Sequence, residues 1–183
     1  MLSSDFLAEF QRATEAKWHE KPIDPHISGF QFQTGTRWNP GLSDEKIAEF
    51  EDVLGIQFPH DFRAFLRAMN GTDLPTLNIY AYCGEPPRQW VGVYSYPRDL
   101  EIVRRLIADV SKDRAELTAT LAEQGFALPV KASLVPIYGR RYLVCTPSLD
   151  SSVVLSIDGS DDAIIYGNSL KEYLEREFLA DSL

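Results

Sequence analysis

The sequence predicts an α+β domain, on three observations. Helical periodicity dominates the first seventy or so residues, strand-like runs cluster in the last third, and a capped apolar stripe closes the chain. With 183 residues, 44% of them hydrophobic and 11% aromatic, the chain can bury one sizeable core but not two large ones. Residues 1–37 read as an N-terminal helix and extended connector and 38–183 as the main domain, together one globular unit.

The first 17 residues form an amphipathic helix: Ser3 or Ser4 caps it, Phe6, Phe10 and Ala13 recur near helical spacing, and Trp18 closes it. From His19 to Pro40, prolines and glycines interrupt one short alternating piece, Phe30-Gln31-Phe32-Gln33, so this stretch reads as an extended connection ending near Trp38. Ser43 caps a second helix with Ile47, Phe50 and Leu54 on one face, and Gly55 stops it. A third begins at Pro59, which suits a first helical turn. Phe62, Phe65, Leu66 and Met69 make its apolar stripe, and Asn70-Gly71 is the expected stop.

Leu77–Tyr82 and Trp90–Tyr96 alternate as strands, with Gly84-Glu85-Pro86-Pro87 as the loop between them. Pro97-Arg98-Asp99 opens a long helical segment reaching Leu121, with a break near Ser111-Lys112-Asp113. Leu134–Tyr138 and Tyr142–Thr146 flank Gly139-Arg140, a two-residue hairpin turn. Val153–Ile157 and Ala163–Tyr166 add two strands around the polar turn Asp158–Asp162. Ser169 and Glu172 form a capping-box pair ahead of Leu170, Tyr173, Leu174 and Phe178.

Composition narrows the function. A net charge of −9, from 27 acidic and 18 basic residues, repels a phosphate backbone and favours a basic partner, so nucleic acid is not expected. No run approaches the roughly 18 apolar residues a membrane helix needs. The N-terminus has neither a basic leader nor an apolar h-region, which predicts a cytoplasmic protein with no membrane partner. Cys83 and Cys145 belong to no Cys/His cluster and read as reduced core thiols, not zinc ligands.

Four features invite chemistry. The adjacent pair His60-Asp61 matches part of an HD-type phosphohydrolase site, but two ligands cannot fix a hydrolytic metal and only His19 and His26 remain. A helix start explains the pair better. Asp158, Asp161 and Asp162 lack the ligand spacing of an EF-hand and fit a solvated turn. Ser169 lacks the second glycine of a nucleophile elbow and serves as a cap. The aromatics Tyr80, Tyr82, Trp90, Tyr94 and Tyr96 lack interleaved basic residues, so they read as sheet packing, with some available to a protein partner.

The ordered set Glu51, Leu54, Gly55, Pro59, Asp61, Phe62, Phe65, Leu66, Asn70 and Gly71 resembles the SMI1/KNR4 (SUKH) superfamily. That signature is a helix ending in Glu-x-x-Leu-Gly, a Leu-Pro-x-Asp-Tyr-type helix start and a closing Asn-Gly. Phe58 and Phe62 stand where Leu and Tyr are commoner. The likeness runs from about Trp38 to Leu179. It implies an α+β domain with a mixed or antiparallel sheet, no shared catalytic residues and no cofactor. Many bacterial members of this superfamily are immunity proteins that neutralise secreted toxins, often nucleases; fungal members are regulatory interaction modules. The expectation is therefore a non-catalytic immunity protein for a cognate, basic toxin. The alternatives are a regulatory module of the fungal type and a metal-dependent hydrolase using His60 and Asp61. Charge alone nominates Asp44, Glu45, Glu49, Asp158, Asp161 and Asp162 as partner contacts.

Overall fold

Local capping chemistry sets the helices where the sequence places them. In the computed structural model, which describes residues 2–81, 85–150 and 152–180, Ser3 accepts the Phe6 N–H at 3.2 Å and opens α1, Ser4–Glu20. The helix runs one half-turn past Trp18. The connector contributes two short strands, β1 (Gly29–Gln31) and β2 (Trp38–Pro40), where only an extended link is predicted. Ser43 accepts the Lys46 N–H at 3.3 Å to cap α2 (Asp44–Leu54), and Gly55 ends it in the left-handed conformation at φ 66°. α3 spans His60–Ala68 and buries Phe62, Phe65 and Leu66.

The stop expected at Asn70-Gly71 is not a helix cap. α3 already ends at Ala68, and Met69–Thr72 forms a fully buried strand, β3, antiparallel to β2. Tertiary pairing overrides the local preference. Asn70 Nδ2 donates to the Tyr96 carbonyl at 2.6 Å, while its Oδ1 accepts the Tyr96 N–H at 2.9 Å. Gly71 sits at φ +72° with Ser95 and Val93 filling the space a Cβ would take, so a side chain there would be both strained and crowded.

The next strands also differ from expectation. β4 is Thr76–Tyr80, and β5 is Glu85–Trp90, which includes the two prolines assigned to a loop. Proline is tolerated because β5 is an edge strand, paired only with β4 in the sheet β1-β4-β5. The predicted strand Trp90–Tyr96 is instead irregular after Trp90. Its backbone is satisfied by one bridge, Val93 to Tyr138, and by side chains, since Asp99 accepts the Ser95 N–H at 2.8 Å and Asn70 takes Tyr96. Tyr82, Cys83 and Gly84 lie outside the described residues.

The helical segment breaks at Asp113 into α4 (Leu100–Lys112) and α5 (Arg114–Glu123). A four-stranded antiparallel meander follows: β6 (Ser133–Tyr138), β7 (Arg141–Cys145), β8 (Val154–Ile157) and β9 (Ala163–Gly167). Tyr138 pairs with Arg141 across Gly139-Arg140, the expected turn. Ser169 then caps α6 (Leu170–Leu174), which continues as a π-helical turn, Glu175–Leu179.

Both faces of this meander are covered. Val135, Ile137, Leu143, Cys145 and Val154 join a core built with α1, α3 and α6, whereas Leu134, Tyr142, Val144, Leu155 and Ile157 pack with Leu117 and Leu121 of α5. The strands alternate between two apolar cores, which is why they read as continuous hydrophobic runs. Residues before Trp38 share the first core. Phe10 meets Trp38 and Phe178 at ring separations of 5.8 and 5.7 Å, and Trp38 Nε1 donates to Thr14 at 2.8 Å.

Candidate binding surfaces

The polar residues of the helix-pair motif are engaged in building the fold. Glu51 is buried on α2, accepts the Phe58 N–H at 2.6 Å and Arg63 Nε at 2.9 Å, and takes a second Arg63 nitrogen as well. It thereby pins the short link between α2 and α3. Asp61 accepts the Leu2 N–H at 2.7 Å and the Ser152 hydroxyl at 3.4 Å, and Ser152 in turn accepts the Leu170 N–H. One carboxylate thus joins the chain's beginning, α3 and the start of α6. His60 is exposed beside it. Among the described residues no three His, Cys, Asp or Glu side chains are grouped to hold a metal.

The six acidic residues nominated for contact fall on two separate elements. Asp44, Glu45 and Glu49 line the exposed face of α2, where Asp44 pairs with Arg67 at 2.6 Å. Glu49 accepts from Lys46 at 2.6 Å and from the Tyr96 hydroxyl at 2.8 Å; these two bonds, the lysine's first, hold its carboxyl below the usual range. The Ser43 hydroxyl lowers Glu45 likewise. Asp158, Asp161 and Asp162 occupy the β8–β9 turn, braced by α5 through Thr120 Oγ1 to the Ser160 carbonyl at 2.9 Å. Asp158 pairs with Arg140, while Asp161 and Asp162 are exposed and form no ion pair among the described residues. No hydrogen bond or ion pair among the described residues joins the two groups.

Exposed apolar residues single out a different region. Every residue of β5 is exposed, and Trp90 at its end is 49% exposed with its ring 5.8 Å from Phe30. Ile27 and Leu74 flank the same small sheet and are exposed too. Beside Trp90 lies a hollow of about 330 Å³ bounded by Asp73, Gln89 and Arg98. Phe30 also lines a cleft of about 340 Å³ together with Trp18, Phe32, Tyr138 and Phe178. Of the aromatics assigned to sheet packing, Tyr94 and Tyr96 are buried, but Trp90 is not.

A model of the SMI1/KNR4 family (SUKH-1) matches residues 41–176. The chain belongs to this family. Comparison with curated proteins returns no match. The SMI1/KNR4 region holds the signature residues Glu51, Asp61, Asn70 and Gly71, and in this chain each has a structural task that spacing alone could not show. α1, β1 and the end of the π-turn lie outside it. The Trp90 surface straddles its boundary, with β4 and β5 inside and Phe30 outside. The sequence leaves some of the aromatics around Trp90 available to a protein partner, but not their grouping with Phe30, Ile27 and Leu74, because these apolar residues are scattered singly along the chain.

Proposed function

We propose that this SMI1/KNR4 domain is a non-catalytic protein-binding module that neutralises a cognate, basic toxin protein in the cytoplasm. Family membership carries the reading, since many bacterial members act as immunity proteins. Two further observations support it. The motif's carboxylates, Glu51 and Asp61, are bound to backbone N–H groups and to Arg63 or Ser152, which suits scaffolding better than proton transfer. Exposed acid on α2 and the β8–β9 turn gives long-range attraction for a basic partner, while Trp90 supplies an apolar anchor of the type that dominates protein interfaces.

Coexpression with candidate toxin domains tests the proposal. The expected result is rescue of growth, copurification of the pair, and association that slows as salt rises, because electrostatic steering is screened. Lysine substitutions at Glu45, Asp161 and Asp162 should slow association further. Protection against none of the toxins encoded beside the gene would overturn the proposal.

A further inference from the structure

We infer that the cleft between α1, the connector and the π-turn is a binding site for a small molecule with an aromatic body and one carboxylate. Its volume of about 340 Å³ falls within the roughly 300–1,000 Å³ of small-molecule pockets. The floor is preformed, because its rings lock one another: Trp18 stacks on Phe32 at 4.3 Å, Phe32 on Tyr138 at 5.5 Å, and Tyr138 meets Phe178 at 5.6 Å. Little ordering is then required when a ring enters. Phe30 and the half-exposed Ile27 supply further apolar wall.

The polar groups set the sign of the ligand. Lys21, the residue that caps the end of α1, is exposed at the cleft and pairs with no carboxylate among the described residues. The acid of the lining, Glu177, is already held by Arg141 at 3.0 Å. A cation lining an aromatic cleft selects an amphiphilic anion: a ring displaces water from Phe30, Phe32 and Ile27, which keep exposed surface over the buried rings, and the carboxylate meets the ammonium. This runs against the chain's net charge of −9, so it is a local feature and not a general property of the surface. Of the lining residues only Tyr138 lies within the matched family region. The cleft is therefore an addition to the family domain, and it stands whether or not the domain binds a toxin.

Fluorescence titration of the intact chain with anilinonaphthalenesulfonate, followed by displacement with naphthoate or its uncharged analogue naphthamide, tests the site. Saturable one-site binding is expected, with naphthoate displacing the dye about fivefold more effectively than naphthamide, the size of one exposed charge pair. Lys21→Glu should weaken naphthoate by about fivefold or more and leave naphthamide unchanged, with Lys21→Gln intermediate. Circular dichroism confirms the fold of each variant. No saturable binding, equal displacement by the two ligands, or naphthoate binding untouched by both Lys21 substitutions would overturn the inference.

Discussion

Two antiparallel sheets in this chain meet water in opposite ways. The β6–β9 meander has an apolar core against each face, and Leu143, Val144, Val154 and Leu155 are fully buried. The β1-β4-β5 sheet ends in a strand exposed at every position and carries Trp90 half in solvent. The first sheet holds the fold together by burial on both sides. The second contributes little core and presents groups outward, so the sheet that holds the fold together is not the sheet that offers exposed groups to a partner.

Truncation inside the meander gives the largest expected effect. Leu143→Ala removes a fully buried side chain packed in the first core, and should cost about 3–4 kcal/mol in urea unfolding. A cost below about 1 kcal/mol would mean that the two sheets do not divide the work in this way.

Glu51→Ala comes next, at about 3 kcal/mol, because it frees the Phe58 N–H and leaves Arg63 without its carboxylate. The Arg63 side chain is 34% exposed, which keeps the cost below that of a fully buried pair. Glu51→Gln should recover part of the loss, since an amide oxygen still accepts from Phe58.

Alkaline pH probes the buried side of the comparison without a mutation. Burial raises the phenols of Tyr94, Tyr138, Tyr142 and Tyr173 and the thiol of Cys145. The unfolded chain loses these protons near the ordinary values of 9.0 for Cys and 10.0 for Tyr, while the folded chain keeps them. The unfolded state then binds fewer protons, so stability is intact below pH 9 and falls as pH rises, by about 1.4 kcal/mol per pH unit for each group. Urea titrations across that range check the slope; a flat profile would show that these groups are not sequestered.

The same contrast explains what could be read in the sequence. The limits of α2 were legible because its caps, Ser43 and Gly55, act within a few residues. The meander was legible because two-sided burial leaves continuous apolar runs. β2, β3 and β5 were not, since their pairing depends on partners far along the chain, and a local stop preference at Asn70-Gly71 yields to Asn70 binding Tyr96 26 residues away. For the candidate contacts, the sequence already divided the six acidic residues between the second helix and the polar turn, because both elements are set by local signals. Neither the Trp90 surface nor the Lys21 cleft has a sequence pattern, because each is assembled from elements distant in the chain.

Trp90→Ala gives the smallest expected change in stability and the most direct test of the division between the sheets. The indole keeps about half its surface in water and has Phe30 as its ring neighbour, so truncation should cost only about 1 kcal/mol. If the exposed sheet serves recognition, the same substitution should speed dissociation of the proposed toxin partner by about tenfold or more, as loss of a central aromatic anchor does. The acidic residues Glu45, Asp161 and Asp162 should act instead on the association rate and its salt dependence. A destabilisation of about 3 kcal/mol or more with unchanged dissociation would make Trp90 a packing residue, and the exposed sheet would then differ from the meander only in degree.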